Sequence, residues 1–369
     1  MSDFSPYINE VITNFEKENP KIKIKWIDVP FSEGEKRTLA SVLSDNPPDL
    51  VNLNPDFSAT LAHKGTLYEI PEEKTSQFNK TILNSLKVND KLYSIPWYAT
   101  SAITIYNKEL LKKASVEIPK TYDSMVELAP SVKNKTNSYI TLPNVTENDS
   151  MLKILNKYGI ATSKDINSQK AIQVFELFKK LYTKNLIPKE TVTITLSEAL
   201  EKYMSGEIVM LGAGANFLNM IKENAPLIYS KTDVAPQIVG ELGQNDFSLM
   251  NFVIPIRAKH KDEALEFALY LTNTENQLKL AKLTNILATN QKALQDNFYT
   301  QYKDKDLMSK ARVISAKQLN SIEPAYHTQK GQKDINNIII QATQEILLNK
   351  DSIKNILDKT QVKWKTIEE

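Results

Sequence analysis

Residues 91–111, KLYSIPWYATSAITIYNKELL, frame the reading of the whole chain. The run from Ser101 to Asn107 is apolar and β-branched, which predicts a strand, and KELLKKASV from Lys108 onward predicts a helix after it. Just upstream, Pro96 stands before Trp97 and Tyr98. Proline lacks the N–H that a central strand uses, so the aromatic pair is expected at an element boundary. Two aromatics there serve either as core or as a platform for a flat ligand. Tryptophan buries about 150–250 Å², so area alone gives the core reading equal standing.

Outward from this stretch the pattern repeats. SPYINEVITNFEKENP (5–20) sets Ile8, Val11, Ile12 and Phe15 at helical spacing, with Pro6 near the first turn and Pro20 as the stop. KIKIKWIDV (21–29) alternates apolar and basic residues, the period of a half-exposed strand. EGEKRTLASVLSD predicts a helix closed by Asn46-Pro47-Pro48, DLVNLN a short strand, and FSATLAHKGTLYEI a helix ending at Gly65. Strand and helix in alternation predict an α/β chain with crossovers on a parallel sheet. IVMLGAGANFLNMIKENAP (208–226) runs a buried strand through a turn into a helix. After LMNFVIPI the chain is helical again, with Ala264, Leu265, Ala268, Leu269 and Leu271 at core spacing, and the C-terminal third reads the same way. At about 150 residues per domain, 369 residues predict two domains. With no low-complexity linker between them, the chain is expected to cross from one lobe to the other more than once.

Composition removes several classes of function. Hydrophobic residues are 41% and charged residues 24%, and a formal charge of +2 gives no basic face for nucleic acid. The sequence contains no cysteine, so disulfides and thiolate sites are excluded. His63, His260 and His327 are far apart, which argues against a zinc site. No run of about 18 apolar residues spans a membrane, and no secretory leader stands in this numbering.

LGAGANF (211–217) offers Gly212 and Gly214 but puts Phe217 where a dinucleotide fingerprint needs its third glycine, and no Walker pattern exists. The turn either packs closely or lines a ligand at the carboxyl end of a strand. The hydrolase elbow, the zinc-protease helix and the calcium loop are all missing from the sequence.

FEKENPKIKIKWIDVP, NPPDLVNLNPDFSATLAHKGTLYEI, DKLYSIPWYATSAITIYNKELL, YMSGEIVMLGAGANF and ALEFALYLTNTENQ, in that order, resemble the extracellular solute-binding proteins of family 1. These are sugar-binding receptors of bacterial ABC importers, similar to maltose- and glycerol-3-phosphate-binding proteins. The resemblance implies an α/β, two-lobed periplasmic-binding-protein fold of type II, with a ligand cleft between lobes joined by hinge segments. It places residues 1–107 plus 253–290 in lobe one and 108–252 plus 291–369 in lobe two, with crossings near Tyr106-Asn107, Met250-Phe252 and Ala288-Asn290. Carried over position by position, it implies Asn54 and Asp56 after the strand PDLVNLN, and Trp97 and Tyr98 from the Pro-aromatic turn. It adds Asn216 and Phe217 after LGAG, Met250 and Asn251 from LMNF, and Tyr326 in EPAYHT as ligand residues. Trp97 would stack, partly exposed, on a sugar ring, with Asp56 accepting from its hydroxyls. Several relatives have tryptophan where Asn216 stands.

The resemblance further implies a monomer that needs no cofactor or metal and catalyses nothing. Its partners would be a sugar and a membrane permease, with no nucleic acid. It would work outside the cytoplasm, in a periplasm or lipid-anchored on the outer face of a bacterial membrane. Family members also begin with an apolar strand ahead of the first helix, and Met1 stands past the end of that strand. Two other readings stay open. A receptor for a phosphorylated solute would need a cationic clamp, for which Arg37, Arg257 and Arg312 are the arginines available. A carbohydrate-active enzyme would need two carboxylates facing one glycosidic bond.

Overall fold

The computed structural model describes residues 4–29, 31–145, 150–303, 306–322, 330–349 and 351–369, the side chains of 31–36 excepted. Its strands are β1 (Val51–Leu53), β2 (Lys87–Val88), β3 (Lys91–Leu92), β4 (Ile95–Thr100), β5 (Ala102–Asn107), β6 (Met210–Gly214), β7 (Thr232–Ala235), β8 (Ser248–Val253) and β9 (Leu287–Ala288). The described residues divide into two compact units. Unit 1 takes those within 1–100 and 248–300 together with Lys330, and unit 2 those within 101–247, 301–322 and 331–369. The chain therefore leaves unit 1 at Thr100/Ser101 and re-enters it at Phe247/Ser248, several residues before the positions anticipated at 107 and 252. It leaves again at Thr300/Gln301, ten residues after the anticipated 290.

In unit 1 the sheet order is β1-β8-β4-β9, and every registered pair is antiparallel. β1 and β4 do run in the same direction, as the strand–helix alternation predicts. They never pair, because β8, returning from unit 2, lies between them and runs the other way. Unit 2 repeats the device: its order is β6-β5-β7, with the crossing strand β5 in the middle and antiparallel to both neighbours. A sequence read only for local order cannot see that the central strand of each sheet arrives from elsewhere.

The first helix, Ser5–Glu18, follows its pattern. Tyr7, Ile8, Val11 and Phe15 are buried, and the Phe15 ring meets Phe267 at 5.0 Å and Tyr270 at 5.2 Å. Burying each such side chain stabilises by about 1.5–3 kcal/mol. Residues 21–29 correct the reading from sequence. Ile22, Ile24 and Trp26 are half-buried between exposed lysines, so the alternation is real, but the segment joins no ladder among the described residues. Its backbone is instead held by Ile24 N donating to Glu16 Oε1 at 2.8 Å, and Glu16 also receives Lys23 Nζ.

In unit 2 the core gathers Ile103, Ile105, Leu200, Tyr203, Leu211 and Val234 against the sheet. A second cluster packs Leu111, Met125, Val126, Ala129, Leu181 and Ile187 between helices Lys108–Ala114, Tyr122–Thr136 and Gln169–Thr183.

Candidate functional site

β4 is where the aromatic pair meets the sheet. Opposite β8, Pro96 pairs with Asn251 and Tyr98 with Met250, so Trp97 is the extra residue of a β-bulge. This is how proline is tolerated here: the pair lies inside a strand, at an irregularity, and not at the element boundary the sequence suggests. The bulge withdraws two carbonyls from the ladder, and both are recovered by side chains. Thr289 Oγ1 lies 2.9 Å from Pro96 O and 3.1 Å from Trp97 O, and Gln277 Nε2 also donates to Trp97 O. Gln277 Oε1 in turn accepts from the N–H groups of Thr289 at 2.7 Å and Asn290 at 3.0 Å.

Trp97 is 0% exposed, which corrects the expectation of a partly exposed stacking surface. Its indole lies 4.8 Å from the Phe252 ring on one side, while Phe4 approaches edge-on at 5.8 Å and Tyr98 at 5.0 Å. A residue bulged from a strand held between β8 and β9 has neighbours on every side. Tyr98 is the half-exposed member of the pair, and burial of its ring pushes the phenol up to about 12. Phe4 touches Tyr98 as well, at 5.8 Å and 85°. Reading the sequence missed Phe4 because a lone phenylalanine before a helix has no periodic partner; its place beside Pro6, at the entry to the helix, was the available signal.

The other unit 1 positions lie on adjoining segments. Asn54 caps the helix Pro55–His63, its side chain accepting from Phe57 N at 2.8 Å, and Asp56 stands half-buried in that helix's first turn. Asn251 pairs with Leu53 of β1, is 0% exposed, and its Oδ1 lies 3.5 Å from Ser58 Oγ. Among the described residues neither Asn251 Nδ2 nor Trp97 Nε1 has a hydrogen-bond partner. Met250 is half-buried beside them. A cavity lined by Pro55, Ser58, Ala59, Tyr93 and Ser94 measures about 10 Å³, the threshold for one water and far below a sugar.

Unit 2 holds the remaining pair. Asn216 is exposed at the start of helix Phe217–Asn224 and makes no capping bond with its side chain, while Phe217 is half-buried. A Cβ on Gly214 would meet only Asn216 Oδ1, the tip of an exposed side chain that can turn aside. Tyr326 lies outside the described residues. Arg257, one of the three arginines, is engaged on the surface with Asp45 at 3.3 Å. Among the described residues no cluster of three metal-ligating side chains occurs, and no helix is long and apolar enough to cross a membrane.

A family model for bacterial extracellular solute-binding proteins matches residues 10–307. The chain belongs to the bacterial extracellular solute-binding proteins. It is 26% identical over 297 residues to the multiple sugar-binding protein of Streptococcus mutans, covering 74% of this chain and 69% of that one. A periplasmic-binding protein from Synechococcus sp. MITs9220 superimposes with a TM-score of 0.88 at 27% identity, over 99% of this solute-binding protein and 96% of that chain. The cyclic alpha-maltosyl-1,6-maltose binding protein of Arthrobacter globiformis shares the fold, with a TM-score of 0.81 at 14% identity, covering 99% and 96% of the two chains. The fold of this solute-binding protein is accordingly the two-lobed periplasmic type, mixing helix and sheet as its sequence predicts.

Proposed function

We propose that this solute-binding protein is the sugar-capturing receptor of a bacterial ABC importer, not an enzyme. It would act outside the cytoplasm as a monomer and deliver an oligosaccharide to its permease. The observation that carries this is the aromatic trio Phe4, Trp97 and Tyr98, in which the rings of Phe4 and Tyr98 are half-exposed. Aromatic faces suit the apolar C–H face of a pyranose. The sugar-binding relatives support the same reading.

In this reading Tyr98 and Phe4 present the ring surface, and Trp97 backs them from inside the sheet. Asp56, Asn54, Met250 and Asn251 are the further ligand residues of unit 1 in this reading, and Asn216 and Phe217 are those of unit 2. The lobe assignments of the two units follow the same proposal. A micromolar receptor needs about −8.2 kcal/mol, and one stacked ring gives ~1 kcal/mol, so several such groups must act together. Ligand binds one arrangement of the protein better than others and shifts the population toward it.

The test is a thermal-shift screen against mono- and oligosaccharides and glycerol 3-phosphate, followed by calorimetric titration. Sugar at 100 times its Kd adds about 2.7 kcal/mol of stability. Stabilisation by glycerol 3-phosphate alone would overturn the assignment.

A further inference from the structure

A buried polar cluster of unit 2 lies beside two points where the chain enters and leaves it. The Gln237 side-chain amide pairs with the Asp246 peptide at two points: Asp246 N donates to Oε1 at 3.0 Å, and Nε2 donates to Asp246 O at 3.0 Å. Gln318 does the same for the first crossing, its Nε2 lying 2.8 Å from both Ser101 Oγ and Ala102 O. The two glutamines are joined, since Gln237 N donates to Gln318 Oε1 at 2.7 Å. Lys157, 2% exposed, closes the cluster from behind, its ammonium 2.9 Å from Gln237 Oε1, 3.2 Å from Ile238 O and 3.6 Å from Asp246 Oδ2. The backbone of Lys157 is held close by Gly240, where a Cβ would sit 2.6 Å from Lys157 O. Asn245 then binds Ser321, N to O at 2.7 Å and Nδ2 to Oγ at 2.7 Å.

Residues 101–102, 245–246 and 318–321 come from three distant parts of the sequence, and the first two adjoin points where the chain passes in or out of unit 2. Four buried polar side chains, Gln237, Gln318, Lys157 and Asn245, are spent on them. We propose that Gln237, Gln318 and Lys157 form a clamp that fixes the positions at which the chain leaves unit 2. Backbone rotation then falls at Thr100-Ser101 and Phe247-Ser248, outside the clamp, so these three are positioning residues for any change of arrangement.

The test uses the intact chain with Gln237→Met, Gln318→Met and Lys157→Met, and needs no ligand. Hydrogen exchange of peptides covering 99–104 and 244–249 is expected to quicken at least tenfold, while helix Gln169–Thr183 stays within about twofold. Because the chain has no cysteine, dyes on Lys64→Cys and Lys184→Cys report the distance between units without background; its distribution should broaden in each clamp variant. Should Gln237→Met fail to fold, Gln318→Glu carries the test, since it keeps the acceptor for Gln237 N and loses only the donor to Ser101 and Ala102. Unchanged exchange, or exchange raised evenly through unit 2, would overturn the clamp and leave ordinary packing.

Discussion

Trp97 and Tyr98 are neighbours in sequence with opposite duties. Because the indole is enclosed by Phe4, Tyr98 and Phe252, Trp97→Ala empties a core site and should cost about 3–5 kcal/mol in urea unfolding. Tyr98→Ala should cost much less stability and instead weaken sugar binding about tenfold by calorimetry. A Trp97→Ala protein as stable as the parent but blind to sugar would reverse these roles. Asn54 has a structural duty beside any ligand contact. Removing its cap from Phe57 N by Asn54→Ala should lower stability by about 1 kcal/mol, seen as a lower melting temperature.

The bulge in β4 is the element that turns a plain strand into a place where an aromatic pair can be held. It depends on residues almost two hundred positions away, Gln277 and Thr289. Thr289→Val preserves the shape but withdraws the hydroxyl from two buried carbonyls, and should cost about 1–3 kcal/mol by urea titration. An unchanged midpoint would mean the carbonyls find other donors. Helices with periodic apolar faces, such as Ser5–Glu18, were readable from sequence because 3.6-residue spacing is a local property. β5 was readable as a strand but not as the centre of a sheet, and 21–29 showed a strand's alternation without a ladder. Pairing is decided by partners far along the chain. Among the candidate ligand residues, the burial of Trp97 and the presence of Phe4 beside it depended on packing that no spacing encodes.

At the scale of the whole molecule, tyrosine burial sets the alkaline limit. Burial raises the phenols of Tyr98 and Tyr106 to about 12, with Asp233 adding to the rise at Tyr106, and burial raises those of Tyr7, Tyr158 and Tyr203 further. A folded-state value above the unfolded value near 10 favours the neutral phenol in the folded state. That contribution is complete below pH about 10 and is lost as pH rises through about 12. Stability should therefore fall steeply over this window, with tyrosinate absorbance at 295 nm appearing together with unfolding. Tyrosinate appearing well before any loss of structure would show that these phenols are accessible.

The placement of β5 and β8 also dictates an order of events during synthesis. Unit 2 receives its central strand first, and its sheet is complete once residue 235 has emerged. Unit 1 is begun earlier yet cannot join β1 to β4 until β8 has been made, more than 140 residues later by the count from Thr100 to Ser248. The portion translated first thus waits, with its apolar faces uncovered, for the portion translated second. Pulsed hydrogen exchange during refolding should protect β5–β7 amides before those of β1 and β4, and residues 1–100 alone should remain unfolded. This delay is an interval in which a chaperone has apolar surface to hold.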